Sequence, residues 1–209
     1  MSKSVAIYME GGGPPGEGRA LLRTGMLAFL KPVVDAVRGK SRWRVIACGG
    51  RHQAYDAFVD ALLNEPEVFN VLLVDSEDPV ITVSPWTHLR NRKDDGWTQP
   101  PGSDDSQCQM MVVCMEAWFL ADPAGMKRHY GGNFDTGALP AANLAETRTT
   151  TDINDVLKQA TRNTKAKEYQ KIRDGAKLLE KVDPAEVRKH CKWCERLFRT
   201  LGTAIGVVV

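Results

Sequence analysis

The chain has 209 residues, with 28 Lys+Arg against 26 Asp+Glu, and 43% of its residues are hydrophobic. This length suits one domain, or one domain with an appendage, and the composition excludes a collagen, a coiled coil and a disordered chain. No apolar run approaches the ~20 residues that a membrane span needs, and the apolar run at 5–9 is too short for a signal-peptide core. We therefore expect a cytoplasmic protein without a membrane partner.

The charge is distributed unevenly along the chain. Residues 147–202 hold 14 Lys+Arg and 8 Asp+Glu, whereas the remainder holds 14 and 18. A basic half of this kind can bind the backbone of a nucleic acid. It is equally typical of a solvated helical surface, and both interpretations stay open.

The pattern of apolar residues alternates between strands and helices. Continuous apolar runs predict four buried strands at 5–9, 43–48, 69–74 and 110–115. Helical spacing predicts helices at 19–38 and 52–63 between them, and then at 123–130, 152–160, 165–182 and 184–201. Strands separated by helices of this length favour a parallel sheet. The predicted organisation is an α/β core over 1–122, with a long loop at 76–107, followed by a helical basic extension over 123–209.

The long loop at 76–107 combines basic and aromatic residues, among them Trp86, His88, Arg90, Arg92 and Trp97. Long irregular connections are usually functional or disordered. Interleaved basic and aromatic side chains can clamp a nucleic-acid strand. A lid or a partner-docking loop fits the same pattern.

Acidic residues follow three of the four predicted strands. Glu10 follows the first strand, Asp75, Glu77 and Asp78 follow the third, and Glu116 follows the fourth. Because open parallel sheets bind ligands at the carboxyl ends of their strands, we expect these acids to meet at one edge. Clustered carboxylates repel each other unless a cation neutralises them, and oxygen ligands suit Mg²⁺ or Mn²⁺. The alternative is that the acids only cap the helices that follow.

Two segments of the chain resemble the TOPRIM signature, which is a Glu at the end of one strand and an Asp-x-Asp at the end of another. They are Tyr-Met-Glu-Gly at 8–11 and Asp-Ser-Glu-Asp at 75–78. The family includes topoisomerases, primases, and OLD-type and RloB-like nucleases. Residues 115–122 are similar to the Glu-x-Trp segment of the RloB-like proteins. The resemblance covers most of the chain and implies a TOPRIM-like four-stranded parallel sheet with a helical C-terminal extension.

The resemblance implies a Mg²⁺-dependent nuclease that cuts DNA or RNA, acting in phage defence with an ABC- or AAA-type ATPase partner. It assigns the metal to Glu10, Asp75 and Glu77, and it leaves open whether Glu77 or Asp78 reaches the ion, since the second acid is a Glu here. Glu116 is a candidate ligand for a second ion.

Basic side chains near the predicted strand ends are candidates for contact with substrate. His88 and Lys171 are candidates for proton transfer or charge neutralisation. The arginines that could contact substrate phosphate are Arg19, Arg51, Arg90 and Arg92.

Other interpretations of the same residues are weaker. The sequence Gly-Gly-Gly-Pro-Pro-Gly at 11–16 matches G-x-G-x-x-G, but its prolines offer no N–H to a pyrophosphate. No Lys-Ser/Thr follows the glycines, which excludes a Walker A loop. A phosphatase-like α/β domain would use Asp75 as a covalent nucleophile. A non-catalytic regulatory or sensor subunit that binds the ATPase is the main alternative to a nuclease.

The five cysteines are predicted to be reduced thiols, because their number is odd and three lie in or beside apolar strand-like runs. Cys191 and Cys194 are spaced as a metal-binding pair, but His190 is the only adjacent ligand. A structural zinc site needs four ligands, so packing of both thiols on one helix face is favoured.

Overall fold

The computed structural model describes residues 3–37, 39 and 41–208, and it contains a four-stranded, all-parallel sheet. The strands are β1 (Lys3–Met9), β2 (Ser41–Ala47), β3 (Phe69–Asp75) and β4 (Cys108–Met111). Their order across the sheet is β2-β1-β3-β4. The predicted α/β class, a parallel four-stranded sheet flanked by helices, is therefore confirmed.

Ten α-helices surround the sheet within the described ranges: α1 (Glu17–Phe29), α2 (Lys31–Asp35), α3 (Arg51–Asn64), α4 (Pro85–Asn91), α5 (Glu116–Leu120), α6 (Pro123–Tyr130), α7 (Thr150–Thr161), α8 (Lys171–Leu179), α9 (Pro184–His190) and α10 (Lys192–Ile205). Short 3-10 turns lie at Asp105–Gln107, Thr136–Ala138 and Ala142–Thr147. In the part of the chain that the structure describes, no helix combines the length and the hydropathy required to cross a membrane.

The register of the strands brings the ends of β1 and β3 together. Met9 is paired with Ala47 on β2 and with Leu73 on β3, and Asp75 is paired with Met111 on β4. The strands are parallel, so the residues that follow them emerge at one edge of the sheet. Glu10 and Asp75 are thereby placed next to each other.

The hydrophobic core lies on both faces of the sheet. The central strands β1 and β3 are buried almost throughout, as expected when helices cover both faces of a parallel sheet. α10 packs against β4, and α8 packs against α1. The rings of Phe29 and Trp118 are stacked with their centroids 4.8 Å apart. The C-terminal helices therefore complete the core of the sheet.

The close approach of α1 and α8 depends on a glycine. A Cβ atom at Gly25 would lie 2.3 Å from the carbonyl oxygen of Ala176. Any side chain at this position would push the two helices apart. This contact matters for the site because α8 begins at Lys171.

The fourth strand is shorter than predicted. The apolar run predicts a strand to residue 115, but β4 ends at Met111. Beyond it, the carbonyl of Val113 accepts the N–H of Glu77 at 2.7 Å, and the N–H of Met115 donates to Oδ1 of Asp75 at 2.9 Å. The backbone of this segment therefore bonds to the side chain that ends β3 and to the loop after it, without extending the strand pairing, and Glu116 begins α5 instead of following β4.

Three helix predictions differ from the structure in their boundaries. The predicted helix at 19–38 is two helices, because Pro32 cannot donate an N–H within a continuous helix; its residue 38 lies outside the described residues. The predicted helix at 165–182 begins only at Lys171. The predicted helix at 184–201 is broken at Cys191.

The predicted loop at 76–107 is not irregular throughout. It contains α4, which begins after Ser84, whose hydroxyl accepts the N–H of Thr87. It also contains the 3-10 turn at Asp105–Gln107. The side chains of Trp86 and Leu89 are buried against the core, so α4 anchors this segment to the sheet.

Candidate functional site

Three carboxylates converge at the carboxyl edge of the sheet. Glu10, Asp75 and Glu77 each place an oxygen atom within 4.8 Å of the others. Asp75 is buried, and Glu10 and Glu77 are half-buried. The backbone N–H of Asp75 also donates to Oε2 of Glu10 at 3.3 Å. We call these three residues the carboxylate cluster.

The backbone at Glu77 is held in an uncommon conformation. Its φ angle is 63°, in the left-handed region that costs a non-glycine residue about 1–2 kcal/mol. The hydrogen bond to the carbonyl of Val113 fixes this conformation, and Oγ1 of Thr150 lies 3.5 Å from Oε2 of the Glu77 side chain. Strained residues of this kind persist where the surroundings fix them, often at functional sites.

Glu77, and not Asp78, joins the cluster. The side chain of Asp78 is 73% exposed and forms an ion pair with Arg92 at 3.0 Å. Asp78 therefore lies outside the group of converging oxygens. The turn after β3 therefore directs the side chain of Glu77, rather than that of Asp78, towards Glu10 and Asp75.

A buried network of ion pairs supports the cluster from the side of β2. Nη1 of Arg51 lies 2.8 Å from Oε2 of Glu10 and also donates to the backbone carbonyl of Asp75. The same guanidinium donates from Nε and Nη2 to the two oxygens of Asp95, at 2.6 and 2.7 Å. The Asp95 side chain is fully buried, and it also accepts from Nε of Arg92 at 2.7 Å. Asp95 thus fixes two arginines that lie behind the cluster.

These contacts change the role expected for Arg51 and Arg92. The sequence suggests that both contact substrate phosphate, but their guanidinium groups are bound to internal carboxylates and carbonyls. Arg92 donates from Nη1 to the carbonyl of Ser76 at 3.1 Å as well. Both arginines therefore hold the loop after β3 in place.

Lys171 joins the cluster to a fourth acid. Its Nζ lies 3.4 Å from Oδ2 of Asp75 and 3.4 Å from Oε2 of Glu116. Glu116 is completely buried, and its Oε1 accepts the hydroxyl of Tyr169 at 2.9 Å. Its Oε2 has no hydrogen bond within the described part of the chain, so its only neutralising contact is the Lys171 ammonium group.

The electrostatics of the site favour a cation. The connected network contains six carboxylates and three cationic side chains, an acidic excess when all are ionised: Glu10, Asp75, Glu77, Asp78, Asp95, Glu116, and Arg51, Arg92, Lys171. Burial, opposed by the Lys171 ammonium group, raises the pKa of Asp75 to about 8. Burial also raises the pKa of Glu10, although Arg51 opposes the shift. Without a further cation, therefore, the cluster does not hold all its negative charges easily.

A cavity of about 260 Å³ opens onto the cluster. Glu10, Asp75 and Lys171 line it, together with the glycine loop that follows β1 and an apolar wall. The glycine loop is required here, because Gly12 has a φ angle of 84° and a Cβ atom on it would lie 2.8 Å from the Cα of Arg19. The glycine therefore lets the loop pack closely against the start of α1 at the edge of the cavity.

The other predicted site residues lie around this cavity or away from it. Arg19 donates from Nε to the carbonyl of Gly13 at 3.0 Å, so it supports the glycine loop. His88 is buried, and its Nε2 lies 3.0 Å from the carbonyl of Ser76, which can only accept. His88 therefore donates to the loop after β3. Arg90 lies on the exposed face of α4.

Sequence reasoning did not identify Asp95 or Thr150. The available signal for Asp95 was weak: residues 90–95 hold three basic residues followed by two acids, and this pattern does not indicate which acid meets the arginines. For Thr150, which reaches Glu77 from the start of α7, the sequence carries no signal, because 73 residues separate the two positions.

Comparisons with known proteins give one result. No curated protein and no solved structure matches the chain. A family model described as a domain of unknown function, DUF4276, matches residues 19–202. This range includes Asp75, Glu77 and Lys171 and begins after Glu10. Since the match covers most of the chain, the protein belongs to the DUF4276 family.

Proposed function

We propose that the protein is a Mg²⁺-dependent phosphodiester-cleaving enzyme acting on DNA or RNA. The observation that carries this proposal is the convergence of Glu10, Asp75 and Glu77 beside a cavity at the carboxyl edge of a parallel sheet. Ligand sites of open α/β sheets lie at this edge. The arrangement also agrees with what the TOPRIM resemblance implies.

The donor set fits a hard divalent cation. All three ligand groups are carboxylates, which suit Mg²⁺ or Mn²⁺ rather than zinc. In an octahedral Mg²⁺ site with bonds of about 2.1 Å, opposite ligand oxygens lie about 4.2 Å apart and adjacent ones about 3.0 Å apart. The oxygens of the cluster, which lie up to 4.8 Å apart, must therefore move closer by side-chain rotation to bind one ion directly.

In this proposal each residue has a separate role. Glu10, Asp75 and Glu77 hold the ion, which would polarise the scissile phosphate and lower the pKa of a bound water. Lys171 is half-exposed at the cavity, so its ammonium group is placed to stabilise negative charge on the phosphate. Glu116 anchors Lys171 through an ion pair at 3.4 Å, and among the described residues no second group of three converging acids includes Glu116.

The proposal includes an ATPase partner of the ABC or AAA type, with the protein as the effector of an anti-phage system. The loop before α4 supports a docking surface, because Ile81 is 94% and Val83 97% exposed. Large apolar side chains exposed side by side are typical of interaction sites. The rest of this loop is anchored, since Val80 is buried.

A regulatory subunit that does not cut nucleic acid is the second candidate. The observation that favours it is that Glu10 already pairs with Arg51, and Asp75 with Lys171. A cluster used only for structure would have these pairs. A phosphatase that uses Asp75 as a covalent nucleophile has less support, because the residue two positions after Asp75 is Glu77 rather than a second aspartate.

The experiment is a cleavage assay on labelled single-stranded DNA, double-stranded DNA and RNA, with Mg²⁺, Mn²⁺ or a chelator, with and without the ATPase. We expect metal-dependent cleavage that Asp75→Asn abolishes and Asp94→Asn leaves unchanged, since Asp94 is an exposed acid on the same loop as Asp95. If no substrate is cut with either metal, while ATPase binding depends on Asp75, the regulatory candidate is correct.

A further inference from the structure

A second, larger cavity lies at the opposite edge of the sheet. Its volume is about 740 Å³, and α9 and α10 form most of its walls. Phe69, the first residue of β3, and Ser106, which precedes β4, also line it. The six residue steps of β3 from Phe69 to Asp75 span about 20 Å, so this cavity is separate from the carboxylate cluster. Much of the basic C-terminal charge therefore lies away from the candidate metal site.

The lining of this cavity is strongly basic. It contains five Lys or Arg side chains and His190 against one carboxylate, Glu195. Glu195 pairs with Arg188 at 2.6 Å, and Lys189 pairs with Glu186 at 2.5 Å. Within the described residues, Lys192 and Arg199 have no ion-pair partner, and both are exposed. Lys192 is also within electrostatic reach of Glu146, so the cavity presents positive charge that the carboxylates of the described residues neutralise only in part.

Arg196 gives an independent indication of an anionic ligand. Its Nη1 donates to the carbonyl of Cys108 at 2.9 Å, and Nη2 donates to the carbonyl of Asp105. Its guanidinium carbon also lies 5.2 Å from the centre of the Trp193 ring. These contacts fix the side chain, and no carboxylate of the described residues forms a salt bridge with it, although Asp105 and Asp104 attract its charge from a greater distance. A fixed, half-buried guanidinium without a salt-bridge partner is well prepared to bind an anion.

The N-terminus of α10 does not contribute to this site. The carboxylate of Glu146 accepts the N–H groups of Lys192 and Trp193, at 3.1 and 2.9 Å. Side chains therefore supply the recognition. The hydroxyls of Thr200 and Thr203 add donors to the wall, and Phe69 adds an apolar surface.

From this arrangement we infer that the cavity binds an oligophosphate group, such as that of a nucleoside triphosphate. The volume is that of a small-molecule site. Several separate cations surround the cavity, and they match a ligand with several phosphates better than a ligand with a single carboxylate. Planar guanidinium groups bind phosphate oxygens in pairs. The inference is independent of the proposed nuclease function, because it concerns the other edge of the sheet.

The test is calorimetric titration of the full chain, in the presence of a chelator, with inorganic tripolyphosphate, ATP, adenosine and a ten-nucleotide single-stranded DNA. The variant is the double substitution Lys192→Ala with Arg199→Ala. The matched control is Lys158→Ala with Arg162→Ala, which removes two exposed cations at the end of α7. Circular dichroism establishes that both variants are folded.

We expect tripolyphosphate and ATP to bind the native chain, and the cavity variant to bind them at least tenfold more weakly, while the control binds as the native chain does. Tighter binding of ATP than of tripolyphosphate would identify the ligand as a nucleotide, and equal binding would identify an inorganic phosphate chain. The inference fails if neither phosphate compound binds, or if both double variants weaken binding equally. It also fails if only the DNA strand binds and depends on Lys192 and Arg199.

Discussion

Replacing Asp95 with asparagine should destabilise the protein, because Asp95 is the centre of the ion-pair network that supports the candidate site. The carboxylate of Asp95 is fully buried and accepts three short hydrogen bonds, two from Arg51 and one from Arg92. Removing one partner of a buried ion pair costs about 3–5 kcal/mol. Arg51 keeps its contact with Glu10 and Arg92 keeps that with Asp78, so we expect a loss near the lower limit, about 3 kcal/mol. For a domain of this size, that corresponds to a fall in Tm of about 6 to 12 °C.

The assay is urea denaturation of the native chain, Asp95→Asn and the control Asp94→Asn. Asp94 is exposed, so its substitution should change the free energy of unfolding by less than about 0.5 kcal/mol. Burial acts to raise the pKa of Asp95, but the hydrogen bonds from Arg51 and Arg92 lower it below its usual range. The native chain should therefore be more stable than Asp95→Asn above pH ~4, and this difference in the free energy of unfolding should disappear as the pH falls below ~4. Equal stability of both variants at neutral pH would refute this reasoning.

Three further outcomes follow from the geometry of the site. Because the pKa of Asp75 is raised to about 8, folding takes up a proton between pH ~5 and pH ~8. The free energy of unfolding of the metal-free chain should therefore fall as the pH rises through this range, and the same pH dependence in Asp75→Asn would contradict this. Glu77→Gln should weaken Mg²⁺ binding at least about tenfold in calorimetry, and Asp78→Asn much less; the reverse order would show that Asp78 is the ligand. Gly25→Ala should lower the Tm by separating α1 from α8, and an unchanged Tm would show that the two helices can adjust.

The sequence predicts the sheet well because buried parallel strands are continuous apolar runs. The acids at the carboxyl edge follow from the same pattern, since parallel strands that pair directly must end side by side. Glu10 and Asp75 meet because β1 and β3 are neighbours, a condition on which the sequence prediction depended.

Features that depend on tertiary contacts could not be predicted from local patterns. The run at 110–115 is apolar throughout, so nothing in it indicates that the strand ends at Met111. Beyond this residue the chain bonds to the side chain of Asp75 and to the loop after β3. Nor does the helical periodicity at 184–201 indicate the break at Cys191. The partner there is Glu146, which caps α10 from a distant part of the chain.

The roles of the arginines likewise could not be predicted from the local sequence. A basic residue near the strand ends can bind a substrate phosphate or form an ion pair with an internal carboxylate. Only the three-dimensional structure shows which of these contacts it makes. Arg51 lies between Glu10 and Asp95. Its guanidinium group joins these two acids behind the cluster, and Lys171 remains the half-exposed cation at the cavity.

Calorimetric titration of the metal-free protein with Mg²⁺ and Mn²⁺ tests the central claim most directly. We expect saturable binding by the native chain, weakened at least about tenfold in Asp75→Asn. This substitution retains the shape of the side chain and an oxygen acceptor for the N–H of Met115. Absence of saturable binding, or equal binding by the variant, would contradict the assignment of a metal to the carboxylate cluster.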